Sequence, residues 1–230
     1  MKKNILIIGG SSGIGLEIVK QLHDQHNIYV ANRTNESLSN FKHVFIKVDI
    51  IEETIDPSLL PESLDGLVYC PGTINLRPFR GLKPDTFISD FNINVMGAIK
   101  NIQAVLKNLN ESKHSSIVLF STVAVQTGMP FHSSIAASKG AIEGLTRSLA
   151  AEFAPKISVN AIAPSIVDTP LSDKFLNNEA KMERAIERHP LKKVGSPADL
   201  AKAAIFLLTN SSWITGQVIG IDGGIGNLKI

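Results

Sequence analysis

Short, continuously apolar runs recur along the chain, and each is followed by a longer segment with apolar residues at helical spacing. The runs are 4–9 (NILIIG), 28–32 (IYVAN), 43–48 (HVFIKV), 65–70 (DGLVYC), 116–121 (SIVLFS), 157–163 (ISVNAIA) and 217–222 (QVIGID). Between them, Ile14, Ile18 and Leu22 share one helical face. Segment 95–109 carries Val95, Ile99, Ile102, Val105, Leu106 and Leu109. Segment 134–153 carries Ile142, Leu145, Leu149 and Phe153 and must end before Pro155, and 197–209 is a further helix. A strand apolar on both faces must be covered on both, and parallel neighbours need long, usually helical crossovers. The pattern predicts one α/β domain over 1–230, a doubly wound, seven-stranded parallel sheet with helices on both faces. With 230 residues and 43% hydrophobic composition, the chain can bury such a core. Segment 171–193 departs from the pattern, being polar and charged. It reads as a solvated helix pair or as a flap over a pocket.

The charge balance, 23 basic against 21 acidic residues, shows no basic cluster, so no nucleic-acid partner is expected. One cysteine, Cys70, excludes an internal disulfide and a cysteine-based metal cluster, and no metal site is expected. No run approaches 18 apolar residues, and glycines interrupt the first ten positions, so neither a membrane span nor a signal peptide is expected. A cytoplasmic protein is the resulting expectation.

The first run leads directly into GGSSGIG, with Gly9, Gly13 and Gly15 in the spacing G-x-x-x-G-x-G. A tight turn from strand to helix needs backbone angles and close approaches that a Cβ would block. The helix start beyond it offers unpaired N–H groups and a positive dipole end to a pyrophosphate, with Ser11, Ser12 and Ile14 completing the turn. A dinucleotide site is expected here. A carboxylate at the end of the second strand would repel a 2′-phosphate, but the chain has Asn32 and Arg33. Arginine presents a planar fork of donors to phosphate, so NADP(H) is favoured over NAD(H). Asp49, with Ile50 beside it, closes the third strand, where it could accept the adenine amine or simply begin a polar loop.

With these features in place, the chain resembles the short-chain dehydrogenase/reductase family from residue 4 to about residue 224, in particular the 3-oxoacyl-carrier-protein reductase type. The glycine turn resembles that family's cofactor loop, with Ile8 where a threonine is usual. DGLVYCPG resembles the strand ending in Asn-Asn-Ala-Gly, but of those four only Gly72 is kept. Asn94 in NVMG falls on the family's structural and proton-relay asparagine. In APSIVDT, Pro164 and Thr169 match residues beside the nicotinamide, with Ser165 in place of a glycine, and WITGQVIGIDGG matches the last strand. The resemblance implies a Rossmann-type domain with a small-molecule substrate. It also implies a homo-oligomer, dimer or tetramer, in which helices 95–112 and 134–153 pack between subunits and the last strand forms a second interface.

The family's reacting group is a serine, a tyrosine and a lysine. Lys139 matches the lysine, Thr122 stands at the serine, and Ile135 stands at the tyrosine. A hydrocarbon has no proton to give, and losing positioned proton transfer costs a factor of about 10² to 10⁴. His132, seven residues before Lys139, matches the spacing of the tyrosine in enoyl reductases of the wider family and is one replacement. A water relay through Lys139, Asn94 and Thr122 is another. Tyr69 reads as packing or a cofactor contact, and Ser133 and Ser134 as helix caps. The expected function is therefore an NADP(H)-dependent oxidoreductase of carbonyls or alcohols with an atypical site. The alternatives are a catalytically silent dinucleotide-binding module and a partner subunit in a larger assembly.

Overall fold

The computed structural model describes every residue except Met1, Ser212 and Ile230. Seven strands form one parallel sheet in the order β3-β2-β1-β4-β5-β6-β7. They are β1 (Asn4–Ile8), β2 (Asn27–Asn32), β3 (Val44–Lys47), β4 (Gly66–Tyr69), β5 (Ser115–Phe120), β6 (Ile157–Pro164) and β7 (Val218–Ile221). The expected Rossmann-type architecture is the one observed, with strand ends within two residues of those read from the apolar runs.

Strand alternation divides the core between the two faces of the sheet. In β1, Leu6 and Ile8 face a cluster with Val105 and Leu109 of α3 (Gly97–Glu111) and Ile142 of α5 (Ser133–Phe153). Ile5 and Ile7 face the other cluster, with Ile18 and Val19 of α1 (Gly13–Leu22) and Leu200 and Leu207 of α8 (Pro197–Thr209). These four β1 side chains are fully buried, which explains why 5–8 contains no polar residue. α8 starts on a reciprocal capping box between Ser196 and Asp199.

Two short helices lie outside the expectations, α2 (Pro84–Phe91) and α4 (Ala124–Thr127). The helix expected at 95–109 is the continuation of α2 through a wide π turn, Asn92–Met96, into α3. Segment 171–193 folds as a helix pair, α6 (Asp173–Leu176) and α7 (Glu179–Arg188). The capping expected of Ser133 and Ser134 does not occur. His132 holds the N-cap position without a side-chain cap, and Ser134 Oγ donates instead to buried Asp90 Oδ2 at 2.5 Å. Among the described residues no helix is long and apolar enough to cross a membrane.

The strand order reverses between β1 and β4, and the carboxyl ends of all the strands point to one edge. A crevice at such a reversal is where open α/β sheets receive ligands.

Candidate active site

At the end of β1 the chain turns sharply, with Gly9 at φ +80° and Gly13 at φ +52°. A Cβ on Gly15 would lie 2.3 Å from the Gly9 carbonyl oxygen, so only glycine lets α1 begin so close to the strand. Ser12 caps α1 in extended backbone without using its side chain. The result is a bare helix start above a cleft of about 620 Å³. Gly9, Ser11, Ser12, Gly13 and Ile14 form one wall of the cleft, and Asn32, Arg33, Asp49 and Ile50 form another. Gly72 and Thr169 close it. Gly15 lies beneath the turn and does not line the cleft.

Asn32 Nδ2 donates to Ser11 Oγ and to the Thr34 carbonyl, while Ser37 Oγ donates to the Ser11 carbonyl at 2.6 Å. These bonds fasten the glycine turn to the end of β2 and leave Arg33 exposed at the cleft's margin. Asp49 Oδ1 accepts from Ile51 N at 3.0 Å, as an ordinary loop aspartate does. The helix start, the glycine cradle and the absence of a carboxylate at the β2 terminus fit a dinucleotide carrying a 2′-phosphate.

A second cavity of about 560 Å³ adjoins the first, and Ile14, Cys70, Gly72 and Leu171 border both. Its wall includes Thr122, His132, Ile135, Lys139 and Pro164. Ile135 and Lys139 are one turn apart on α5, so both side chains project from the same face of the helix. Ile135 is 5% exposed and Lys139 8%. Lys139 Nζ lies beside Gly72, 3.6 Å from where a Cβ there would stand. Burial lowers the ammonium pKa to about 8, with Cys70 and Asp90 pulling the other way. Burial pushes the Cys70 thiol up to about 12, which Lys139 partly offsets.

Ser121, on the cavity wall, donates from Oγ to Oε1 of buried Glu143 at 2.8 Å. Its neighbour Thr122 only accepts, from Ala124 N at 3.3 Å, so its hydroxyl proton remains available to a ligand oxygen. His132 Nδ1 lies 2.7 Å from the Pro130 carbonyl and must be its protonated nitrogen, which leaves Nε2 as the other polar atom of the ring.

Asn94 lines neither cavity. Fully buried, it donates from Nδ2 to the Asp90 carbonyl at 2.7 Å and to Thr73 Oγ1 at 2.8 Å. Asp90 in turn accepts from Thr73 Oγ1 at 2.6 Å, Asn75 Nδ2 at 2.7 Å and Ser134 Oγ. This network ties the loop after Gly72 to α2 and to the start of α5, and so sets the loop against Lys139. Tyr69 is unavailable for acid chemistry: its hydroxyl donates to the Ile93 carbonyl at 2.6 Å within the π turn, and burial raises its phenol above the ordinary range. A Cβ at Gly97 would meet that hydroxyl at 2.2 Å, so a glycine makes room for the ring.

Three features went unread in the sequence. Asp90 is the one residue that the short helix α2 buries, and an apolar period does not point to a buried carboxylate. Ser165 and His189, which line the second cavity together, are 24 residues apart in the chain. The third is the clustering of four cations, Lys174, Lys181, Arg184 and Arg188, on the wall of this cavity, since 171–193 reads only as a solvated helix pair or a flap over a pocket. Among the described residues no group of three or more His, Cys, Asp or Glu side chains is placed to hold a metal.

Residues 9–226 match the family model described as enoyl-(acyl carrier protein) reductase. The 3-oxoacyl-[acyl-carrier-protein] reductase FabG of Thermotoga maritima is 37% identical over 146 residues, 63% of this chain and 58% of that one. The 2,5-dichloro-2,5-cyclohexadiene-1,4-diol dehydrogenase of Sphingobium indicum is 30% identical over 240 residues, 96% of each. A gluconate 5-dehydrogenase from Burkholderia cenocepacia, solved in complex with NADP and tartrate, superposes with a TM-score of 0.89 at 25% identity. That match covers 100% of this chain and 97% of the other.

Proposed function

The chain belongs to the short-chain dehydrogenase/reductase family, and on that premise we propose that it is an NADP(H)-dependent oxidoreductase acting on a carbonyl or alcohol held in the cavity beside Lys139. The observation that carries this reading is the meeting of the two cavities at Ile14, Cys70 and Gly72, with Lys139 on the wall of the second beside Gly72. NADP bound by a structural relative and the Arg33 margin of the cleft both support the choice of cofactor.

When bound, the dinucleotide supplies the hydride. Thr122 donates its hydroxyl proton to the substrate oxygen and orients it. Lys139, with its pKa near 8, carries a proton at neutral pH and presents it to the junction of the cavities. Ile135 occupies the family's tyrosine position, where it closes the wall against water and moves no proton. That task falls to His132 Nε2 or to a water held by Lys139. Asn94 and Asp90 are positioning residues that fix the loop at Gly72 and Thr73.

Residues 1–230 act as one dinucleotide-binding domain in this reading, with 171–193 as its substrate flap. The chain forms a homodimer or tetramer, which exposed Ile88, Phe91 and Met96 support. The lone thiol accords with a cytoplasmic setting. The second reading, a silent dinucleotide-binding module or partner subunit, is favoured by Ile135 and by the departure of Tyr69, Cys70 and Pro71 from the family's pattern. Titration with NADPH and NADH, followed by NADPH consumption across a panel of ketones and aldehydes, separates the two. Tight NADPH binding with no consumption by any carbonyl would leave only the second.

A further inference from the structure

Helix α7 segregates its charges. Lys181, Arg184, Ala185 and Arg188 stand at i, i+3, i+4 and i+7, and all four line the second cavity. Glu179, Glu183 and Glu187 of the same helix are absent from that wall, and the helical repeat puts them on the opposite side. The arrangement sets Arg184 and Arg188 one turn apart, a like-charge spacing that weakens a helix. An ordinary solvated helix alternates its charges to form pairs along its surface, and this one does not.

Lys174 of α6 adds a fourth cation to the same wall. Among the described residues, none of the four forms a salt bridge. Lys174 Nζ donates to the Ile74 carbonyl at 2.7 Å, Lys181 Nζ to the Lys174 carbonyl and Asn177 Oδ1, each at 2.8 Å, and Arg184 Nε to the Ala180 carbonyl at 2.9 Å. These carbonyl bonds hold the side chains in place and leave their charge uncompensated. No aspartate or glutamate lines the cavity, and the remaining wall is largely apolar, with Ile74, Leu76, Met129, Ile135, Leu171 and Phe175.

From this we infer that the substrate is an anionic carbonyl compound, or the corresponding alcohol: an apolar body with a carboxylate or phosphate-ester end, the anion lying against Lys181, Arg184 and Arg188 while the reacting oxygen lies toward Thr122. The inference rests on the oxidoreductase reading for its reacting group, but the anion site is independent of turnover. Both arginines offer a planar donor fork matched to an oxyanion. A cleft lined by one sign of charge also concentrates ligands of the other.

Calorimetric titration tests it on the whole protein, with and without saturating NADP+, using 4-phenylbutyrate, 4-phenylbutyl phosphate and neutral 4-phenylbutyramide. At least one anion is expected to bind about tenfold or more tightly than the amide, and the tighter of the two identifies the end group. The advantage should shrink to about threefold or less in a Lys181→Gln, Arg184→Gln, Arg188→Gln variant. It should persist in Glu183→Gln, Glu187→Gln, which alters the opposite face. In the unmodified protein it should fall as salt rises from about 20 to about 300 mM. Equal affinity for amide and anions, or an anion advantage indifferent both to salt and to the triple substitution, overturns the inference. If the advantage holds but no carbonyl consumes NADPH, the oxidoreductase reading fails and the anion site stands.

Discussion

Ser165 Oγ and His189 Nε2 are 2.8 Å apart, and the other ring nitrogen of His189 lies 2.6 Å from the Ala185 carbonyl. A carbonyl only accepts, so Nδ1 carries the proton and Nε2 accepts from the serine. The imidazole thereby joins the residue after β6 to the C-terminal end of α7, the helix that brings the cations to the cavity. It is 3% exposed, and Gly223 at φ +65° leaves it space, since a Cβ there would stand 3.2 Å from its Cδ2.

Replacing His189 with leucine leaves a serine hydroxyl at the cavity wall and a backbone carbonyl, both partly buried, without their ring partner. The expected loss is about 1–3 kcal/mol in denaturant unfolding, together with faster amide exchange across 179–188. Ser165→Ala removes only the hydroxyl and should cost about 1 kcal/mol or less. Equal losses from the two variants would show that the histidine does not anchor α7.

Lys139 gives the stability a signed dependence on pH. Its folded pKa of about 8 lies below the ordinary 10.5, so between those values the unfolded chain binds more protons and stability rises with pH. Below pH 8 both states are protonated and this contribution is flat. Cys70 acts in the opposite direction, with a folded value of about 12 against 9.0, so stability falls as pH climbs above 9. The net expectation for the cofactor-free protein is a rise of about 0.5–1 kcal/mol between pH 8 and 9, then a plateau. Cys70→Ser should extend the rise to about pH 10, and Lys139→Met should abolish it. Urea unfolding at each pH checks all three proteins.

Ile135→Tyr restores a phenol one turn from Lys139. With a carbonyl that the native protein reduces, kcat should increase about tenfold or more while the Kd for NADPH stays the same. His132→Ala should lower kcat by about tenfold or more if that ring delivers the proton, and should leave it unchanged if a water beside Lys139 does. A decrease in Ile135→Tyr would mean that Ile135 contributes to substrate packing.

Arg33→Ala should weaken NADPH binding about tenfold and leave NADH binding unaltered, because only the former carries the phosphate the guanidinium would grip. Fluorescence titration of both cofactors against both proteins settles the point. A native protein that prefers NADH by tenfold would remove Arg33 from the cofactor site.

The sheet was legible because β1, β4, β5 and β6 are buried on both faces, carry no charged residue and are mostly apolar. β7, only half buried, was found through the same apolar run at lower contrast. Helix α2 was not legible, since the one residue it buries is a charged one, Asp90, and no apolar repeat marks its inner face. The π turn at Asn92–Met96 leaves no periodic trace at all. In the site, the glycine turn and Lys139 could be read because their roles are local to a few consecutive residues. Ser165 with His189, and Asp90 with Ser134, depend on partners brought together by the sheet, which spacing along a chain does not encode. The basic stripe of α7 was present in the helical repeat, but only the cavity beneath it distinguishes that face from solvent.

The fit of Tyr69 against Gly97 restricts what sequence drift can do here. A methyl group at 97 has nowhere to go while the ring is present, and the ring's hydroxyl donates to a carbonyl of the wide turn. The two positions are therefore heritable only as a couple: a descendant that enlarges 97 must first shrink 69, and must then find another donor for the Ile93 oxygen.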